Sequence, residues 1–187
     1  ILINAHNCHP WQANDDISGC AVGISIMQYL KERESRKYSY RLIIAPELIG
    51  TVHWLASMNS ATASNFIGAI MLKSVGNENN LKLQHSFIGN SQLDKAALNI
   101  MSYRDPKLVS GPFRTIYGND ETVFDSPGYN IPSISLTRFP FKEYHTSADT
   151  PDRLSEDAME ETREIVLEII EALERNNTLS FTQQGLI

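Results

Sequence analysis

Four short apolar-rich runs constrain this chain more than any other feature: ILINA at Ile1 to Ala5, YSYRLIIA at Tyr38 to Ala45, FIGAIMLKS at Phe66 to Ser74 and IPSISLTR at Ile131 to Arg138. Runs of this length read as strands, and one that becomes continuously apolar, as Tyr38 to Ala45 does, reads as an inner strand covered on both faces. Segments with helical spacing separate them. Ile17 to Glu34 carries Val22, Ile24, Ile26, Met27 and Leu30, Gly50 to Met58 begins another helix, and Gln92 to Met101 repeats through Leu93, Ala96, Ala97 and Ile100. Ser155 to Arg175 is predicted as a long helix with Met159, Ile165, Ile169 and Leu173 on one face. Strands alternating with helices, with no internal repeat, predict an α/β three-layer sandwich whose central mixed, mostly parallel sheet is covered by helices on both faces. Lys82 to Phe87 alternates and reads as an edge strand; Val75 to Asn80 is a turn. Pro106 to Tyr129, rich in Gly, Pro, Asp and Ser, reads as a long functional loop region.

A length of 187 residues suits one domain. The chain opens on a strand without an initiator Met, so it is expected to be part of a longer protein with further domains. Sixteen Lys and Arg against 22 Asp and Glu give a net charge of -6, which argues against a nucleic-acid surface. Lys31, Arg33, Arg36, Lys37 and Arg41 alternate with Glu32 and Glu34 as a solvated helix end does. No apolar run approaches the roughly 18 residues of a membrane span. Cys8 and Cys20 form neither a disulfide framework nor a CxxC pair, so a reducing, cytoplasmic location is expected. The tail from Asn176 is polar, with Leu179, Phe181, Leu186 and Ile187 scattered through it.

Chemistry gathers after the strands. His6 and His9 follow the first one, Asp15 and Asp16 lie at the next helix start, Glu47 sits just past the second strand, and His145 comes after the last. Sites of α/β sheets collect at the carboxyl ends of strands. Imidazole nitrogens and carboxylate oxygens suit zinc, manganese or cobalt. His6, His9, Asp15 and His145 are the candidate ligands, and Glu47 beside them can take the proton from a metal-bound water.

ILINAH, ANDDISG, RLIIAPELIGT, GND with SPGYNIPSISL, and EYHTSADTPDRL resemble, block by block and in order, the zinc aminopeptidase superfamily that includes bacterial leucyl aminopeptidases. Within it the chain is similar to an aminopeptidase-like branch with a CHP signature, here Cys8-His9-Pro10, associated with polysaccharide biosynthesis loci. The resemblance, which runs from residue 1 to about 175, implies a zinc-dependent hydrolase cleaving an amide next to a free amine in a peptide or aminoacyl substrate. It matches His6 to the family's first His, Asp15 to the bridging Asp and His145 to the late His. Asp120, where the family has a Ser-Asp-His block, is implied to orient the site. Two departures stand out. Pro46-Glu47 replaces a pair of Glu residues, so Glu47 is either the general base, the reading adopted, or a ligand. Lys73 stands where the family has a further Asp, and an ammonium offers no lone pair to a metal. One tight metal is therefore expected, with His9 as a replacement ligand.

Plainer roles are expected for other residues. His53 and His85 read as structural or exposed, Cys8 as a small buried residue, and Asp16 as a helix cap. Asp149 and Asp152 read as turn or cap residues, and Trp11 and Phe141 as core or lid packing. Tyr144 is a candidate oxyanion donor. The alternative to an enzyme is a non-catalytic member that kept the fold and a structural metal. A third reading is hydrolysis of an amide or ester on a carbohydrate-linked compound.

Overall fold

The computed structural model describes residues 1–177. The expectations for Leu179, Phe181, Leu186 and Ile187 lie outside the described residues. In chain order the elements are β1 (Leu2–His6), α1 (Ser18–Glu32), β2 (Arg41–Ala45), α2 (Ile49–Ala56), α3 (Ser60–Ala63), β3 (Ala69–Lys73) and β4 (Lys82–Gln84). They continue with α4 (Gln92–Arg104), β5 (Ser110–Gly111), α5 (Glu121–Phe124), β6 (Ser133–Thr137) and α6 (Glu156–Arg175). The six strands form one sheet in the order β2-β1-β3-β6-β4-β5. The pairs β1–β2, β1–β3, β3–β6 and β4–β5 are parallel, and only β4 runs antiparallel to β6.

Alternation along the strands builds the three layers, because successive side chains leave a strand on opposite faces. Ile3, Ile70, Leu72, Ile134 and Leu136 face one side and pack with Ile26 of α1, Ala97 of α4 and Ile169 of α6. Leu2, Ile43, Ala69 and Met71 face the other and pack with Leu55 of α2 and Phe124 of α5. The mostly parallel, twice-covered sheet is thus the predicted α/β sandwich. No helix among the described residues is long and apolar enough to cross a membrane.

Two strand placements correct the sequence reading. Among the described residues, the apolar run ending at Ala45 stands at one end of the sheet, paired with β1 alone rather than flanked on both sides, and of the five residues of β2 only Ile43 is buried. Among the described residues, its two faces are each only partly covered. Conversely, β4 is not the edge, because the two-residue β5 from the long loop pairs beyond it. The same loop also folds into α5.

Helix ends are chemically specified. Ser91 and Asp94 form a reciprocal capping box at α4, and the Asp94 carboxylate also accepts from Ser86 N and Oγ at 2.8 and 2.6 Å. Burial pushes the Asp94 carboxyl up, but the bonds from Ser86 and Ser91 outweigh it and hold it below its ordinary value. A depressed carboxyl stabilises the fold above its unfolded pKa of about 4 and loses that contribution as pH falls through the folded value. Asp94→Asn is therefore expected to cost about 1 kcal/mol at pH 7 and less in acid, measured by urea unfolding across that range. Equal costs at pH 7 and pH 2 contradict this account. The long C-terminal helix starts at Ser155, whose Oγ accepts from Ala158 N, so neither Asp149 nor Asp152 is its cap.

Candidate metal centre

The ends of β1 and β3 and the loop after β6 hold the segment that carries Asp15. Between β1 and α1 the chain passes through an irregular turn, Ala13–Ile17, in which Asp15 and Asp16 leave helical geometry. Its polar atoms are tied outward to neighbouring backbone. Asn14 Oδ1 accepts from Gly76 N at 2.8 Å, and Asp16 accepts from His6 N at 3.3 Å and Ser74 N at 2.9 Å. Asp149 accepts from Asn14 N at 2.8 Å and from Asp15 N at 3.0 Å, locking a loop near the C-terminus onto the turn. Asp16 and Asp149 are thus buried struts, which corrects their reading as caps. Only the Asp15 carboxylate is left pointing into the centre.

Each of its oxygens meets a different set of partners. His145 Nε2 lies 3.2 Å and His9 Nε2 3.8 Å from Asp15 Oδ2. His6 Nε2 lies 3.2 Å from Oδ1, and the ammonium of Lys73 contacts both Oδ1 and that same His6 nitrogen. Burial would push the Asp15 carboxyl up, but His6 and the Lys73 ammonium hold it at about 2. Burial pushes Asp16 the other way, to about 7.

Aromatic residues set the far wall. The Tyr144 ring stacks on His145 with centroids 3.9 Å apart, and its hydroxyl pairs with that of Tyr117 at 2.8 Å. The Tyr117 ring lies 5.0 Å from the Lys73 ammonium. Tyr144 thus orients His145 through its face, with its hydroxyl bound to Tyr117. Glu47 stands opposite, on a loop whose Leu48 has φ 59°. Asp120 Oδ1 fixes that loop, accepting from Leu48 N at 2.5 Å and Thr51 Oγ1 at 2.6 Å. His9, Trp11, Glu47, His145 and Thr146 line an open cleft of about 480 Å3.

The ligand atoms fall into two neighbouring groups. His9, Asp15 and His145 bring theirs within 4.8 Å of one another, and so do His6, Cys8 and Glu47. Asp15 Oδ2 and His9 Nε2 are buried atoms that make no hydrogen bond. Ligands about 2.0 to 2.2 Å from a tetrahedral ion lie roughly 3.3 to 3.6 Å apart, so the first group fits zinc with small adjustments. Cys8 is exposed rather than buried, with Sγ 3.3 Å from His6 Nδ1 and 3.4 Å from His9 Nδ1. Trp11 is 58% exposed at the cleft, and Phe141 packs against Tyr144. His53 is exposed, and His85 Nδ1 lies 3.4 Å from Asp94. Sequence reasoning missed Tyr117 and the support from Asp149, although Asp149 lies within the same block as His145.

Residues 1–176 match the family described as a domain of unknown function, DUF4910. A provisionally named polysaccharide biosynthesis protein with an aminopeptidase-like domain from Clostridium acetobutylicum is 33% identical over 180 residues, covering 95% of this chain and 41% of that protein. The crystal structure of a provisionally named peptidase from the same species superposes with a TM-score of 0.88 at 31% identity, over 95% of this chain and 42% of that one. An aminopeptidase from Aneurinibacillus sp. strain AM-1 superposes at 0.78 with 23% identity, over 98% of this chain and 46% of that one. BSAP, a zinc aminopeptidase from Bacillus subtilis, gives 0.78 at 18%, over 94% and 46%. The chain spans less than half the length of these relatives. It is a member of the DUF4910 family, built on the fold of the zinc aminopeptidase-like superfamily.

Proposed function

We propose that this chain forms the catalytic part of a metal-dependent hydrolase of the aminopeptidase type, acting on an amide next to a free amine. One observation carries the reading: a buried carboxylate oxygen without a hydrogen bond, Asp15 Oδ2, faces the Nε2 atoms of His9 and His145 across from Glu47. Zinc held there supplies Lewis acidity, lowering the pKa of water and polarising a carbonyl. The chain's own residues do the rest. Asp15, His9 and His145 bind the ion, Asp149 and the Tyr144 ring hold two of those ligands in place, and Glu47 takes a proton at its carboxylate and passes it to the leaving amine. Trp11 and Thr146 border the space a substrate side chain would enter.

Removal and return of the metal test this reading. Chelator is expected to abolish release of amine from aminoacyl amides, and stoichiometric zinc to restore it. The name of the Clostridium relative makes amides of carbohydrate-linked amines the second substrate set to assay. Metal bound without turnover on either set favours the non-catalytic alternative, and failure to bind zinc removes both.

A further inference from the structure

The cation-binding capacity of this centre is already half used by a side chain. Lys73 ends β3, is 1% exposed, and drives its Nζ into the gap between His6 Nε2 and Asp15 Oδ1. Those two atoms are 3.2 Å apart, close to the separation expected of two ligands sharing one ion. We propose that Lys73 is a built-in cation, holding permanently the place between His6 and Asp15 where a second metal ion would bind, so that this pocket takes a single divalent ion at His9, Asp15 and His145. The proposal rests on the hydrolase reading only for that single ion.

Volume and charge both support it. An ion bonded to His6 Nε2 and Asp15 Oδ1 at about 2 Å from each would overlap the Nζ atom already touching both. It would also sit beside a like charge in a site closed to solvent, where screening is weak. Asp15 still bridges two cations, but one of them is covalently attached to the sheet.

The arrangement also assigns a role to His6. Its Nε2 meets both the Lys73 ammonium and Asp15 Oδ1, and its Nδ1 lies 3.3 Å from Cys8 Sγ. With Nε2 engaged, His6 is a positioning residue for Lys73 and Asp15. His9, whose Nε2 is buried without a hydrogen bond, supplies the imidazole that the ion uses.

The test counts zinc per chain after loading in excess and removing free ion, by elemental analysis and native mass spectrometry. Lys73→Asp, which replaces the ammonium by a ligand, is expected to bind exactly one ion more than the unaltered chain, two against one. His145→Ala, expected to bring the unaltered count to zero, reports separately on the first site. If the unaltered chain holds none and Lys73→Asp holds one, the hydrolase reading fails while this proposal stands. A folded Lys73→Asp chain with no gain overturns the proposal, and so does a second tight zinc in the unaltered chain. Since Lys73→Asp crowds three carboxylates and can fail to fold, a second measurement uses the unaltered protein. The Lys73 ammonium resonance, assigned by its loss in Lys73→Arg, is expected to remain present when one equivalent of zinc is added, shifted only by the ion on the other oxygen of the Asp15 carboxylate. Its disappearance with that equivalent, as the ion takes the place of the ammonium, overturns the proposal without any variant fold.

Discussion

Asp15→Ala is expected to strip the chain of its metal and to destabilise the metal-free fold by about 3 to 5 kcal/mol. The two losses have separate causes. In the proposed site the carboxylate would offer Oδ2 to the ion, while its Oδ1 is the direct anionic partner of the Lys73 ammonium. Removing one member of a buried pair leaves the other charged and poorly solvated, which costs more than the pair itself is worth. Lys73 would keep only the neighbouring Asp16 carboxylate, each of whose oxygens already accepts one backbone N–H. Urea unfolding in the presence of chelator measures the fold term alone, because binding of a ligand adds its own stabilisation only when the ligand is there. Asp15→Asn keeps the volume and is expected to lose metal with most of the same cost. A chelator-treated Asp15→Ala chain as stable as the unaltered one would mean that Lys73 is satisfied elsewhere and the pair is energetically idle.

Glu47→Gln should lower turnover by about 10²- to 10⁴-fold while zinc content stays unchanged. The amide has the shape of the carboxylate and none of its capacity to accept a proton from water. Position matters as much as chemistry here. Glu47 follows β2, and the backbone after it is held by the bonds from Leu48 N and Thr51 Oγ1 to Asp120, whose own carboxyl burial pushes up. Asp120→Asn should therefore reduce turnover less than Glu47→Gln does, by letting the Glu47 loop move. Zinc analysis beside kinetics separates base from ligand. Loss of the ion in Glu47→Gln reassigns Glu47 as a ligand together with His6 and Cys8, and turnover within threefold of the unaltered rate removes it from the chemistry altogether.

The layered α/β architecture was legible in the sequence because it follows from local periodicity: apolar runs of strand length and helices with one apolar face leave few ways to cover a sheet twice. Helix α1 and helix α6 fall within two residues of their predicted bounds at each end. Edge positions were not legible. Whether the run ending at Ala45 is inside or outside depends on which strands pair with it, and the two residues that place β5 beyond β4 carry no periodic signal.

For the site, residue types and their place after strands singled out His6, His9, Asp15, Glu47 and His145, since metal-binding and proton-transferring side chains are few and loop starts are where such sheets expose them. The family resemblance also marked Lys73 as a cation where a ligand was expected. Only the tertiary structure decided which atoms meet. Asp15 and His145 are 130 positions apart, yet their polar atoms lie 3.2 Å from each other because Asp149 binds the backbone of the Asp15 turn. His6 faces an ammonium with one nitrogen and a thiol with the other, and Asp16 is a strut rather than a cap. Such facts are distances between segments remote in the chain, set by how β1, β3 and the loop after β6 pack, and no local pattern of residues encodes them.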